Sequence, residues 1–191
     1  LTLFKCYFGI FQVIKGKRMR LLSLLLLASS LLSASIELPG NFQADFIQKI
    51  TNTKNKVITY RGKVRFSDET LFKWSYKEPT QKEVCTDGLE LLVVDHDLEQ
   101  VSAYRISNGI NIAKILKKAV FYSKNIYVAE YDNKKYTIQV DKQKKLHSIA
   151  YYDDLDNKVQ ILFTHMKYGK GTLPAQSMKC NYPINYDMIQ G

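Results

Sequence analysis

The feature that most constrains this chain is a strict period of two. Ile58, Tyr60, Gly62, Val64 and Phe66 alternate with Thr59, Arg61, Lys63 and Arg65. Side chains along a β-strand point to opposite faces in turn, so this stretch is a strand with one apolar face and one basic face. Phe72, Trp74 and Tyr76 repeat the pattern until Glu78-Pro79 ends it. Asp87-Gly88 is a hairpin signal before the apolar run 89–94, and residues 101–106 with Asn108-Gly109 read as a strand and turn. Further strands are expected at 126–131, 136–140, 146–152 and 159–166, and a last one at 176–182, stopped by Pro183. Their separators are short and rich in turn-forming Asp and Asn. Residues 42–50 fit either a strand or a helix.

One stretch departs from the rhythm. Ile112, Ile115, Leu116 and Ala119 fall at i, i+3, i+4 and i+7 between lysines, which predicts an amphipathic helix of about three turns over 111–118. The expectation is a mainly β protein with few helices, a single antiparallel sheet of about nine or ten strands. A strongly twisted sheet of that size curls. Its concave face here carries Tyr, Phe and Trp, more than one helix can cover, so it either closes as a core or stays open to something apolar.

The N-terminus reads as an address. Residues 21–32 are a twelve-residue apolar run, short of the roughly 20 residues a membrane-spanning helix needs. Lys15, Lys17, Arg18 and Arg20 precede it and Ser33-Ala34-Ser35 follow, the three parts of a secretory signal peptide. Met19 is the expected native start. Residues 1–35 are then an upstream extension plus signal, and 36–191 a single exported domain. With no Cys just after the apolar run, no lipid-attachment site is expected. The whole chain carries a formal charge of +10, but residues 1–35 hold five basic residues and no acid. Residues 36–191 retain 23 basic against 18 acidic residues, a net of +5. That is a mildly basic surface and not a nucleic-acid footprint. Cys85 and Cys180 remain as an even pair in an oxidising compartment, a disulfide candidate. The alternative is two separate buried thiols.

Catalytic motifs are weak. There is no G-x-S-x-G and no Gly-rich phosphate loop. The residues of Asp95-His96-Asp97 would alternate faces on a strand and read as a polar turn. His147 and His165 read as surface residues, and Lys142-Gln143-Lys144-Lys145 as a solvated hairpin tip. No enzymatic activity, metal or cofactor is expected.

Several phrases, in order, resemble the LolA family of periplasmic outer-membrane lipoprotein carriers. Phe42-Gln43-Ala44-Asp45-Phe46-Ile47-Gln48 is similar to the family's F-x-A-x-F-x-Q opening. Gly62-Lys63-Val64, then Leu71-Phe72-Lys73-Trp74 and Pro79, resembles its G-x-[LV] … W … P segment. Asp87-Gly88 with Leu92-Val93-Val94-Asp95 and Gln100-Val101, then 156–161 and 183–187, are similar to its later motifs. The resemblance implies a strongly curved, incomplete β-barrel with a helical lid. It also implies a carrier that takes lipoproteins from an inner-membrane ABC transporter, hides their acyl chains in transit, and passes them to an outer-membrane acceptor. The expected occupants of the site are acyl chains and the carrier is expected to be a monomer.

The candidate lipid-binding residues are Phe46, Ile58, Tyr60, Val64, Phe66, Phe72, Trp74, Leu91, Val93, Ile138, Ile161 and Phe163, and the candidate lid residues Ile112, Ile115, Leu116 and Ala119. Where the family carries a lid-latching Arg-Pro, this chain has Asp68-Glu69, so that latch is not transferred. Competing readings are a carrier of another amphiphile such as a glycolipid, and a structural or receptor protein at the outer membrane.

Overall fold

The computed structural model describes residues 36, 39–86, 88–105 and 112–190. They belong to one compact unit. The signal-peptide reading and the Asn108-Gly109 turn lie outside the described residues.

Alternation becomes one open sheet. Its twelve strands are β1 (Asn41–Thr51), β2 (Val57–Ser67), β3 (Leu71–Glu78), β4 (Lys82–Thr86), β5 (Glu90–Asp95), β6 (Gln100–Arg105), β7 (Val120–Ser123), β8 (Ile126–Tyr131), β9 (Lys134–Val140), β10 (Leu146–Tyr152), β11 (Lys158–Gly169) and β12 (Asp187–Gln190). Helix α1 (Ile112–Lys117) leads into β7, and α2 (Ala175–Met178) follows β11. The sheet order is β12-β6-β5-β4-β3-β2-β1-β11-β10-β9-β8-β7. Each neighbouring pair is antiparallel except β12 with β6, which is parallel.

The 42–50 ambiguity resolves as the central strand. β1 pairs along its whole length with β2 and on its other side with β11. Register then assigns the faces. Phe42 lies opposite Phe66, Ala44 opposite Val64, and Phe46 opposite Gly62, so the even residues of β1 and β2 share the inner face. Phe66, Val64 and Gly62 lie opposite Phe72, Trp74 and Tyr76 of β3. These rings pack as a ladder: Phe42 stacks on Phe66 at 4.9 Å, and Phe46 meets Trp74 at 4.8 Å and Tyr76 at 5.1 Å edge-on. Such pairs add to plain area burial. Gly62 makes this possible. A Cβ there would sit 2.1 Å from the Ser75 carbonyl oxygen and 2.8 Å from the Phe46 ring, so the glycine serves close approach.

Two expectations need correction. The helix is shorter than the hydrophobic spacing suggested. α1 spans six residues, and the Lys118 N–H still reaches the Lys114 carbonyl, but the Ala119 N–H bonds Leu116 in a tighter closing turn. Val120, β-branched and followed by two aromatics, starts a strand instead. Ala119 therefore belongs to the core and not to the helix, at 7% exposure.

The strand expected at 176–182 is absent. That segment forms α2 and then runs across the outer face of the sheet, because its carbonyls are claimed by side chains there. Arg65 Nη1 donates to the Ser177 carbonyl at 3.0 Å and Lys73 Nζ to that of Lys179 at 2.7 Å. The disulfide Cys85–Cys180, with Cα atoms 5.7 Å apart, anchors it further. The chain enters the sheet only at β12. The outer face of β4–β6 is in turn a packed layer, in which Val94 and Val101 are fully buried.

Candidate functional site

The inner face does not fill itself. Between its two halves lies a cavity of about 370 Å³, within the range of roughly 300–1,000 Å³ typical of small-molecule sites. One wall is Phe72, Trp74 and Tyr76 of β3, Val84 and Thr86 of β4, and Leu91 of β5. The other is Tyr136 of β9, Ile149 and Tyr151 of β10, and Ile161 of β11, with Gln48 of β1 between them. Residues from opposite ends of the strand order face one space, so the sheet curls into an incomplete barrel. Ile112, Lys114 and Ile115 of α1 close the remaining side.

The helix is held by burial and by charge. Ile112, Ala113, Ile115 and Leu116 are all buried. Lys117 forms an ion pair with Glu69 in the β2–β3 turn, and Lys118 lies over the Tyr131 ring at 5.4 Å. Both Lys117 and Glu69 are half exposed, so their pair is a weak tether of at most about 1 kcal/mol.

The cavity is apolar with a hydroxyl-bearing end. Tyr76 Oη donates to Gln48 Oε1 at 3.1 Å. Burial pushes the Tyr76 hydroxyl far above its ordinary value, with Tyr151 and Tyr60 adding to the effect. Burial also pushes Tyr151 up to about 12, helped by Tyr136. These hydroxyls are therefore neutral donors at physiological pH. Among the described residues the lining holds no carboxylate, histidine or cysteine, and its sole formal charge is Lys114.

Of the residues expected to bind lipid, Phe72, Trp74, Leu91 and Ile161 line the cavity. Val93 lies opposite Val84 in the register and so shares its face. Phe46, Val64, Phe66, Ile138 and Phe163 are buried in the core beside it, and Tyr60 packs against that core. Ile58 sits at the far end of β2, 51% exposed and off the wall. Of the helix residues, Ile112 and Ile115 face the cavity, while Leu116 and Ala119 are packed in the core.

Among the lining residues that sequence reasoning did not single out are Gln48, Tyr76, Val84, Thr86, Tyr136, Ile149 and Tyr151. Gln48 carries the same parity as Phe42 and Phe46, a signal available once 42–50 is read as a strand. Val84 and Thr86 lie on β4, a five-residue strand whose Lys-Glu-Val-Cys-Thr shows little alternation.

The Asp95-His96-Asp97 cluster does not converge. Asp95 Oδ1 accepts the Asp97 and Leu98 N–H groups, Asp97 Oδ2 accepts that of Gln81, and His96 Nδ1 bonds the Tyr186 hydroxyl at 3.1 Å. Each member shapes a turn. His165, at a β-bulge with φ of 52°, bonds Asp45 at 2.8 Å on the outer face.

The family model described as "Outer membrane lipoprotein carrier protein LolA" matches residues 40–176. The chain is similar to an outer-membrane lipoprotein carrier protein of Campylobacter jejuni, 35% identical over 152 residues, 79% of this chain and 87% of the relative. It is similar to the protein of that name from Wolinella succinogenes, 30% identical over 145 residues, 76% of this chain and 84% of the relative. Among solved structures, an uncharacterized conserved protein from Thermus thermophilus shares the fold, with a TM-score of 0.53 at 11% identity over 81% of this chain and 92% of that one.

Proposed function

The chain belongs to the LolA family of outer membrane lipoprotein carriers, and on that premise we propose that it binds the acyl chains of lipoproteins and carries them through the periplasm. The observation that carries this reading is the apolar cavity under α1. An acyl chain gains about 0.8 kcal/mol per buried CH₂, so a free acylated lipoprotein cannot cross water. A cavity walled by Phe72, Trp74, Leu91 and Ile161 removes that penalty. Among the described residues the lining is mainly aromatic and aliphatic side chains, the surface a hydrocarbon chain packs against.

The working form in this reading is the exported domain 36–191, acting as a monomer. Cargo comes from an inner-membrane ABC transporter and goes to an outer-membrane acceptor. Handover follows the relative affinities of donor, carrier and acceptor. Ile112 and Ile115 occupy the mouth when it is empty and move out when a chain enters. The Lys117–Glu69 pair is the tether that yields at that step.

The test is to produce the full chain in a Gram-negative host and recover the exported product from the periplasmic fraction. Gel filtration and mass spectrometry then read what travels with it, with and without an active lipoprotein-releasing transporter. A one-to-one complex with a lipoprotein that requires the transporter is the expected result. A bound small lipid without lipoprotein would replace this reading with carriage of another amphiphile such as a glycolipid. A folded, empty product under both conditions would overturn lipid carriage.

A further inference from the structure

Gln48 is out of place in an apolar cavity. It is 9% exposed and stands on the inner face among Phe42, Ala44 and Phe46 of the same strand. A buried carboxamide is costly unless its hydrogen bonds are met. One side of it is met: Oε1 accepts from Tyr76 Oη at 3.1 Å. With Oε1 engaged, the two N–H groups of Nε2 have no acceptor among the described residues. Nε2 is also not sealed off, since no fully enclosed side-chain nitrogen among those residues lacks a partner. Gln48 borders the cavity, so an acceptor that enters it comes within reach of these donors.

Tyr76 fixes which end of the amide points inward. Its hydroxyl stays protonated far beyond the physiological range because it is buried. Neutral, it is able to donate, and in this structure it donates to Oε1 at 3.1 Å, which leaves Nε2 to the cavity. The arrangement is a preset donor turned toward whatever acceptor enters.

We propose that Gln48 Nε2 is a recognition point for the carbonyl oxygen of an acyl ester or acyl amide, and that Tyr76 is its positioning residue. This rests on the acyl-chain reading above and adds to it a chemical class. Gln48 shares the cavity with Phe72, Trp74, Leu91 and Ile161, so a ligand with its carbonyl at Gln48 lays its hydrocarbon along these apolar walls. A bare hydrocarbon or an ether lipid leaves the donors unmet. The site is built to prefer acylated molecules over merely greasy ones.

The experiment uses two lysophospholipids matched in chain and headgroup: 1-palmitoyl-lysophosphatidylcholine, which has the ester carbonyl, and 1-O-hexadecyl-lysophosphatidylcholine, which has an ether instead. Affinities for the exported protein are measured below the micellar threshold by calorimetry. A neutral hydrogen bond at a desolvated site predicts about three- to tenfold tighter binding of the ester. Gln48→Leu should abolish the preference, so that ester and ether bind within about twofold of each other, because no buried donor is then left to be met or unmet. Tyr76→Phe should reduce the preference, because the amide is then free to turn. Equal binding of both lipids by the wild-type protein overturns the recognition point while the acyl-chain reading stands. A preference that survives in Gln48→Leu overturns it likewise. Binding of neither lipid overturns both. The wild-type comparison needs no variant to fold, and thermal melting of both variants separates a lost preference from a lost fold.

Discussion

Cys180 is bonded to Cys85 on the outer face of the sheet, beside the ion pair of Lys73 and Glu83. Lys73 Nζ lies 2.9 Å from Glu83 Oε1 and donates to the Lys179 carbonyl, while Glu83 Oε2 accepts the Asn181 N–H at 2.9 Å. Lys73 is only 5% exposed. The segment around Cys180 thus both covers a charge pair and completes its hydrogen bonding. That segment lies on the face opposite the cavity, because odd-numbered residues of β3 and β4 face outward and even-numbered ones inward.

Stability and binding should therefore separate at the disulfide. The bond spans 95 residues, for which loop-closure entropy gives about 4 to 5 kcal/mol as an upper figure. Cys180→Ser is expected to lower the melting temperature by about 10 °C. Affinity for an acyl probe at 25 °C should be unchanged. Calorimetric melting beside a probe titration checks both, and a matching loss of affinity would show that the outer segment supports the cavity after all.

The tether at the cavity mouth gives a second prediction. Glu69→Lys faces Lys117 with a like charge. Because both side chains are about half exposed, the effect is small, about two- to fivefold faster release of a fluorescent acyl probe. The reversed pair, Glu69→Lys with Lys117→Glu, should restore the wild-type rate. Added salt should shrink the difference between the single variant and wild type. A single variant indistinguishable from wild type at low salt would remove the pair from the release step.

Two neighbours on α1 should behave differently. Ile115 and Leu116 are almost equally buried, at 1% and 2% exposure, yet only Ile115 borders the cavity. Truncation of either to Ala is expected to cost about 2 to 4 kcal/mol of stability. Ile115→Ala should also change probe affinity, since it enlarges the space beneath the helix. Leu116→Ala should not. Equal binding changes in both would mean that α1 acts through general loosening.

How much of this was legible beforehand follows from the physics of each element. β2 and β3 were plain because one face is apolar and the other charged. Phe72, Trp74, Leu91 and Ile161 could be placed on the wall because the alternation carries them there. β4 was hidden because both its faces are covered, by the cavity on one side and the Cys180 segment on the other. β12 was hidden because a four-residue strand at an edge takes its pairing from β6 and not from its own pattern. The segment at 176–182 misled because its fate depends on Arg65, Lys73 and Cys85, residues about a hundred positions away. Gln48 stands in the sequence as the last residue of the F-x-A-x-F-x-Q opening, but its place on the cavity wall shows only once Tyr76 is seen beside it.

The tyrosines at the polar end make the fold sensitive to alkali in a defined way. Burial raises Tyr76 and Tyr151 above the ordinary tyrosine value of 10.0. A raised folded-state value means that the unfolded chain ionises first. The stabilisation is thus fully present below pH 10 and is lost as pH climbs from there toward the folded values. Each tyrosine that ionises only in the unfolded state lowers stability by up to about 1.4 kcal/mol per pH unit. Denaturant unfolding at pH 8, 10 and 11 should give a flat then falling curve. Phenolate absorbance at pH 10.5 should report fewer ionised tyrosines in the folded protein than in urea. Tyr76→Phe should flatten the alkaline limb, because it removes one group that the folded state keeps neutral. An unchanged alkaline slope in that variant would mean that Tyr76 is open to solvent, and the polar end of the cavity would then be a wet rim instead of a buried donor site.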